Sequence, residues 1–356
     1  AAPRRVVMVG RPTATSSIPI CAGNMPDCAS PGISKMADIE NEAGVDPAFR
    51  RDVLAGLESR PRAIPARWFY DRRGSELFED ITDLPEYYPT RVERSMLDAR
   101  SGDIAAAVGP GKAVVEFGSG SSAKTPLLLN AIQPAAYVPI DISGDFLRDS
   151  ARALSGDFPD LDVRPVEADF TQPVSLPGEI DGLPKLGFFP GSTIGNFIPP
   201  SAVDFLRAMK ATLGTGSLLL IGMDRIKDEE TLVRAYDDSA GVTAAFNLNL
   251  LERINRELDG DIPIDAFRHR AIWNDMLARI EMHIEAQSDV RFTVAGQNFA
   301  MAAGDTIHTE NSHKYGSRDA RILLRAGGWT VTEEWTDPDD QFALLLAEAQ
   351  PERTAP

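Results

Sequence analysis

Gly118, Gly120 and Ala123 stand in the run VVEFGSGSSAKT, residues 114–125, at the spacing G-x-G-x-x-A. That pattern lets a backbone approach a pyrophosphate closely, with a helix N-terminus behind it. Gly118, Ala123, Lys124 and Thr125 also come close to the phosphate loop G-x-x-x-x-G-K-[ST]. Against that pattern, Ala123 replaces the glycine that lets the loop wrap a phosphate. Two residues ahead of Gly118 lies Glu116, a carboxylate able to hold an ammonium group directly or through water. The loop offers chemistry for a phosphate, a ribose or a charged amine, and the surrounding elements must decide.

KAVVEF (112–117) is a short apolar strand leading into the loop, and SAKTPLLLNAI (122–132) leaves it as a helix. AYVPIDI (136–142) is the next strand, ending at Asp141, and GDFLRDSARAL (144–154) an amphipathic helix. LDVRPVEADF (161–170) reads as a third strand ending near Asp169. KLGFFPGSTIGNF (185–197) is a fourth, running into a Gly-rich turn. SAVDFLRAMKATL (201–213) is a helix opened by Ser201 and closed by Gly214, and SLLLIGMD (217–224) a fifth strand ending at Asp224. Apolar strands each followed by a helix predict an α/β fold: a mostly parallel, Rossmann-like sheet with helices on both faces. Ligands sit at the carboxyl ends of such strands. The positions to watch are Gly118 to Gly120, Asp141, Asp169 and Gly191 to Asn196. SRDARILLRAG (317–327), WTVTEEWTD (329–337) and DQFALLLAEA (340–349) read as a closing helix and two strands.

Two regions interrupt the alternation. Residues 39–90 are helical, then loop-like and aromatic. In 228–313, Val242, Phe246, Leu250, Ile254 and Leu258 form an apolar stripe. RIEMHIEA (279–286) then alternates, with Ile280, Met282, Ile284 and Ala286 on one face and Glu281, His283 and Glu285 on the other. The second set resembles metal ligands, but a solvated strand face is the plainer expectation. We expect a discontinuous α+β domain from 39–90 and 227–313 beside a nucleotide-type domain from 91–226 and 314–350. The Pro-, Gly- and Ser-rich stretch 1–38 is expected to be a disordered tail, because its one apolar run, VVMV, is too short for a signal-peptide core.

A dinucleotide needs an acid about 20 residues beyond the glycines, on the ribose. Asp141 supplies it, and serves any adenosyl cofactor equally well. Glu116 before the first glycine, Asp169 positioned for an adenine amino group, and the lack of a pyrophosphate partner favour S-adenosylmethionine. A phosphate-loop ATPase and a non-catalytic adenosyl-ligand sensor remain as rivals.

Net charge is −17 over 356 residues, which disfavours nucleic-acid backbones and anionic membranes. No apolar run reaches the ~18 residues of a membrane span. Cys21 and Cys28 form no disulfide framework, and the four histidines show no H-E-x-x-H spacing, so no metal is expected. A cytoplasmic monomer acting on a small molecule is the expectation.

The runs YDRRGSELFEDITDLPEYYPTR, VVEFGSGSSAKT, YVPIDIS, FFPGSTIGNF, GVTAAFNLNLLERINREL, RIEMHI and IHTENSHKY follow in this order. Together, over residues 45–350, they resemble the histidine Nα-methyltransferases of ergothioneine biosynthesis. The resemblance implies a class I methyltransferase domain, a discontinuous substrate domain, and three methyl transfers from S-adenosylmethionine to the α-amine of L-histidine. The product would be hercynine, with mono- and dimethylhistidine on the way. It places the cofactor on Tyr70, Gly118, Lys124, Asp141 and Asp169. It places the substrate on Tyr87, Gly191, Thr193, Asn196, Tyr236, Met282, Glu310 and Ser312. His313 stands where a tyrosine would be expected, and an extended chain points it away from Glu310 and Ser312.

The chemistry asks for such residues. Methyl transfer to a neutral amine is an in-line displacement that needs positioning and charge management rather than strong acid or base. Tyrosine rings stabilise methylated ammonium ions and their hydroxyls bond an amine that still has protons, which suits Tyr70 and Tyr87. Asn196 and Tyr236 can bond the amino or carboxylate groups. Glu310 and Ser312, two apart on an extended segment, can serve both nitrogens of an imidazole. Taken one at a time, each has a plainer reading: a turn tyrosine, a turn amide, a polar loop, and for Met282 core packing. The same fold acting on another amino acid, such as tryptophan, is the near alternative.

Overall fold

Asp46 opens the first helix, α1 (Pro47–Glu58), by accepting the Ala48 N–H at 2.7 Å, with Pro47 fixing the first turn. The computed structural model describes residues 46–351 apart from 121–123 and 143, so the tail expected over 1–38 lies outside them. A two-residue strand, β1 (Arg62–Ala63), and a 3-10 turn (Ala66–Phe69) lead to α2 (Arg72–Thr82). Asp71 caps α2 through the Gly74 N–H. Two further helices follow, α3 (Tyr88–Ala99) and α4 (Ser101–Val108).

The alternating region then runs β2 (Ala113–Phe117), α5 (Thr125–Ile132), β3 (Ala136–Asp141), α6 (Gly144–Asp157), β4 (Asp162–Val163), β5 (Val166–Glu167), β6 (Lys185–Phe189), α7 (Pro199–Leu213) and β7 (Leu218–Asp224). The single strand expected over 161–170 is two short ones. Pro165 sits between them and brings no N–H to the ladder, so pairing with β3 breaks there and resumes at Val166.

Helices α8 (Glu229–Tyr236) and α9 (Val242–Glu257) precede β8 (Phe267–Asn274), β9 (Arg279–Ala286), β10 (Val290–Val294), β11 (Gln297–Met301) and β12 (Thr306–His313). The chain closes with α10 (Ser317–Ala326), β13 (Trp329–Thr336) and β14 (Phe342–Ala349).

The large sheet has the order β13-β14-β7-β6-β2-β3-β4, with β5 also on β3. Its strands are parallel except β14, which runs antiparallel to both neighbours. Residues alternate between its faces. Val115, Phe117, Phe189 and Leu345 join one apolar cluster; Val114, Leu186, Phe188 and Leu344 join another. Both faces are therefore covered, as the continuous apolar strands predict. Full burial of each such side chain contributes about 1.5–3 kcal/mol.

The second sheet, β1-β12-β9-β8, is antiparallel apart from β1, and β10 and β11 make a separate hairpin. Ile280, Met282 and Ile284 pack from its inner face against Phe246, Leu250 and Ile254 of α9. The two sheets meet where β12 ends. There the Tyr315 N–H donates to the Asp224 carbonyl at 2.9 Å, and Arg225 and Tyr315 form a parallel bridge. That junction brings the carboxyl edge of the large sheet to the inner face of the small one. No helix among the described residues is long and apolar enough to cross a membrane.

Candidate active site

Gly118 and Gly120 both have positive φ, +70° and +49°, a backbone that side chains disfavour. The Gly118 N–H donates to the Ile140 carbonyl at 2.8 Å, and the Gly120 N–H to Asp141 Oδ2 at 3.1 Å, which ties the loop to the end of β3. A Cβ on Gly118 would press on the Phe170 ring at 3.1 Å, whereas one on Gly120 would meet open space. The backbone above Gly120 is thus a cradle that a ligand can approach. Asp169 is exposed, its Oδ1 accepting the N–H and hydroxyl of Thr171 at 3.0 and 2.6 Å.

Of the residues expected to face the cofactor, Glu116 is buried and the partly exposed Lys124 is paired with another side chain. Glu116 is 1% exposed, and its Oε2 accepts the Thr125 and Tyr137 hydroxyls at 2.7 and 2.6 Å. Burial pushes its carboxyl up to about 7 against the pull of both bonds. Lys124 turns to Glu93, with Nζ 2.5 Å from Oε2. Sequence reading missed Glu93. This fully buried carboxylate on α3 also accepts the Gly191 N–H at 2.8 Å, so one side chain joins the glycine loop to the turn after β6.

In that turn Gly191 has φ +81° and Ser192 φ +56°. Ser192 Oγ accepts the Asp224 N–H at 2.8 Å, and Thr193 Oγ1 donates to the Pro190 carbonyl at 3.0 Å. Asn196, half-buried, ends the 3-10 turn Thr193–Asn196, and its amide bonds no other side chain among the described residues. Gly195 packs on β12 so tightly that a Cβ would sit 2.8 Å from the His313 carbonyl.

Beyond a register shift between His308 and Glu310, Glu310 stands opposite Met282, and Ser312 opposite Ile280. Both therefore share the inner face, as their spacing predicts. Met282 is 1% exposed and part of the apolar core. Burial pushes Glu310 up to about 7, partly offset by Lys314. Its charge acts on three tyrosines. Burial raises the phenols of Tyr70, Tyr87 and Tyr236 above the ordinary value, and the charge of Glu310 adds to each. Tyr70 keeps 40% of its surface accessible, yet protein atoms crowd its hydroxyl and Asp141 also acts on it. The charges of Glu310 and Asp141 both act on it.

Behind Ser312 lies a buried network with little signal in the sequence. Tyr236 Oη and Ser312 Oγ are 2.6 Å apart, and Lys314 Nζ donates to both, at 3.0 and 2.8 Å. Lys314 also pairs with Asp224, whose carboxylate accepts Lys227 and the Tyr88 hydroxyl.

The outer face of the small sheet is not the solvated face expected. Glu281 and Glu285 are buried, because Arg279 and Asn274 hold the first and Arg268 and Arg270 the second. Glu281, His283 and His308 bring ligand atoms within 4.8 Å of one another, but Glu281 is committed to Arg279, Asn274 and His283. His313 lies opposite Arg279 on this outer face, away from Glu310 and Ser312.

Comparison with known proteins gives the family of the chain. The family described as "Histidine-specific methyltransferase, SAM-dependent" matches residues 49–349. A histidine N-alpha-methyltransferase of Mycolicibacterium smegmatis is 43% identical over 310 residues, covering 84% of this chain and 94% of that protein. One from Mycobacterium tuberculosis is 41% identical over 319 residues, covering 87% and 98%. Ergothioneine biosynthesis protein 1 of Neurospora crassa is 29% identical over 82% of this chain and 34% of its own length. The fold is that of a class I methyltransferase, and the chain belongs to the S-adenosylmethionine-dependent, histidine-specific methyltransferase family.

Proposed function

We propose that this chain adds three methyl groups in turn to the α-amine of L-histidine, giving hercynine. The observation that carries this reading is the pairing of Glu310 and Ser312 on one inner face, with Tyr236 Oη 2.6 Å from Ser312 Oγ and the charge of Glu310 acting on Tyr70, Tyr87 and Tyr236. A carboxylate that accepts one N–H and a hydroxyl that serves the other nitrogen match an imidazole. With Glu310 poised near 7, the bound pair of carboxyl and imidazole shares one proton at neutral pH. An indole would leave that buried carboxylate facing carbon, which argues against tryptophan.

Bound S-adenosylmethionine supplies an electrophilic methyl group on a sulfonium. The open cradle over Gly120, with Asp141 behind it and Asp169 at its rim, fits such a cofactor. Glu116 braces the loop from beneath. Lys124 acts at one remove, through Glu93 and Gly191.

The raised phenols keep Tyr70 and Tyr87 uncharged at working pH. Each can then accept a hydrogen bond from the amine and present a ring face to the ammonium that forms. Asn196, held against β12 by the packing of Gly195, offers its amide to the amino or carboxylate group. Gly191 and Thr193 shape the turn that carries it, and Met282 forms the pocket floor beneath the ring.

Tyr87, Tyr236, Met282, Glu310 and Ser312 come from 39–90 and 227–313, whereas Gly191, Thr193 and Asn196 come from 91–226 and the cofactor-side Tyr70 from 39–90, so the two proposed parts share the site across their boundary.

Mass spectrometry of the purified protein with S-adenosylmethionine and L-histidine, with L-tryptophan in parallel, tests the reading. Trimethylhistidine should accumulate and tryptophan stay unmodified. Methylated tryptophan, or no product while the cofactor binds, would overturn it.

A further inference from the structure

β12 changes phase in its middle, and the substrate-side pair depends on that change. Ile307 pairs with Ile284, and both belong to the apolar core on the inner face. His308 pairs with His283 on the outer face. Strict alternation would next turn Thr309 inward and Glu310 outward. Instead Glu310 pairs with Met282 and Ser312 with Ile280, both inner positions. Thr309 is the extra residue that absorbs the difference, a β-bulge.

The bulge is bonded from both sides. On the outer face His308 Nε2 donates to the Glu310 carbonyl at 3.0 Å, and its ring stacks on His283 with centroids 4.7 Å apart. On the inner side the buried Thr309 hydroxyl lies 2.8 Å from Asn247 Oδ1 and 3.0 Å from the Met282 carbonyl. Both of these oxygens accept, so Thr309 is the donor to them.

A backbone group settles which way the Asn247 amide is turned. A carbonyl only accepts, so the atom 3.1 Å from the His283 carbonyl is Nδ2. The second Nδ2 proton goes to His269 Nδ1 at 2.8 Å. His269 Nε2 then carries the ring proton and donates to the Tyr236 carbonyl at 2.7 Å. Both amide protons of the wholly buried Asn247 are used, and its oxygen faces Thr309.

We infer that Asn247 and Thr309 are positioning residues for substrate specificity, because their bond holds the bulge that turns Glu310 and Ser312 toward the substrate. The inference rests on the reading of histidine as substrate. A bulge displaced by one residue sends the Glu310 carboxylate to the outer face and leaves the imidazole without its acceptor.

The test compares Thr309→Val, which keeps the shape and removes the hydroxyl, with Thr309→Ser, which keeps the hydroxyl. KM and kcat for histidine are read, and S-adenosylhomocysteine affinity is measured by calorimetry. Thr309→Val should raise KM about tenfold, because two buried acceptors lose their donor, with kcat within about threefold and S-adenosylhomocysteine affinity within about twofold. Thr309→Ser should keep KM within about threefold of wild type. Added to Glu310→Ala/Ser312→Ala, Thr309→Val should lower kcat/KM by less than about threefold, because it acts through groups already removed. Asn247→Ala should raise KM as Thr309→Val does, and it replaces that variant if Thr309→Val does not fold. Equal losses in Thr309→Ser and Thr309→Val, an unchanged KM, or a full further loss in the combined variant would overturn the inference while histidine remains the substrate. Wild-type protein that does not methylate histidine would overturn the substrate reading itself, and the inference with it.

Discussion

Lys314 Nζ and Asp224 Oδ2 meet at 2.7 Å with both side chains wholly buried. Asp224 ends β7 in the large sheet, and Lys314 follows β12 in the small one. The pair therefore joins the two sheets at the point where the candidate site forms. Burial alone would raise the Asp224 carboxyl, but Lys314 and Lys227 hold it below the ordinary value. Replacing Asp224 with alanine leaves two buried ammonium groups without a counter-charge. The expected cost is about 3–5 kcal/mol of unfolding free energy, read by chemical denaturation. Because the folded value is lowered, this stabilisation is complete above the ordinary value of 3.8 and is lost as pH falls through the folded one. A wild-type midpoint that is flat through that acid window would contradict the assignment.

Glu116 titrates in the opposite sense. Its folded value, about 7, lies above the ordinary 4.5. The resulting penalty is absent below the ordinary value, grows as pH rises and is complete above about 7. Glu116→Gln keeps an acceptor for Thr125 and Tyr137 and removes the charge. It should stabilise the protein at pH 8 by up to about 3 kcal/mol and change little at pH 4. S-adenosylmethionine affinity should stay within about threefold. A much larger loss would return Glu116 to the ammonium-holding role that its place in the sequence suggests.

The parallel sheet was legible because β2, β3, β6 and β7 are almost wholly apolar, as strands covered on both faces must be. The shared face of Glu310 and Ser312 followed from a period of two. What escaped is long-range. Glu93 meets Lys124 across 31 residues and Gly191 across 98, and no local pattern marks a carboxylate as the joint of two loops. Alternation in RIEMHIEA separated the two faces correctly but could not say that arginines of β8 would lie over Glu285. Pro165 is visible as a residue type, but the flanking apolar residues mask its effect on the ladder.

Glu93 gives a prediction that separates a joint from a simple ion pair. Glu93→Ala removes the anchor of both Lys124 and Gly191, so cofactor and histidine affinities should fall together. Glu93→Gln retains an acceptor for the Gly191 N–H and should spare histidine binding more than cofactor binding. Isothermal titration of each ligand distinguishes the two. Equal losses in both variants would show that charge alone, and not the bond to Gly191, is what matters.

His313 should be silent. It faces the outer side of the small sheet, and burial holds its imidazole down to about 4, so it is neutral at working pH. His313→Ala should leave KM for histidine within about twofold, because no charge or hydrogen bond at the site changes. A tenfold shift would place it in the substrate pocket.

Glu310 carries the sharpest pH signature. In the free protein its carboxyl titrates near 7, close to the ordinary imidazole value of about 6.5. Productive binding needs one proton between the two groups. Below about pH 6 the carboxyl is neutral and the imidazole charged, so two protons are present and kcat/KM should fall steeply. Above 7 the carboxylate accepts the ring N–H, and any further rise with pH belongs to the α-amine losing its proton. Glu310→Gln keeps an acceptor and removes the charge. It should lower kcat/KM at pH 8 by about 1.5–3 kcal/mol, roughly ten- to hundredfold, mostly through KM. It should also remove the titration near 7 and leave a shallower acid limb set by the imidazole alone. A pH series of kcat/KM for both proteins decides this. An acid limb of equal steepness in the variant would mean that Glu310 does not share a proton with the substrate ring.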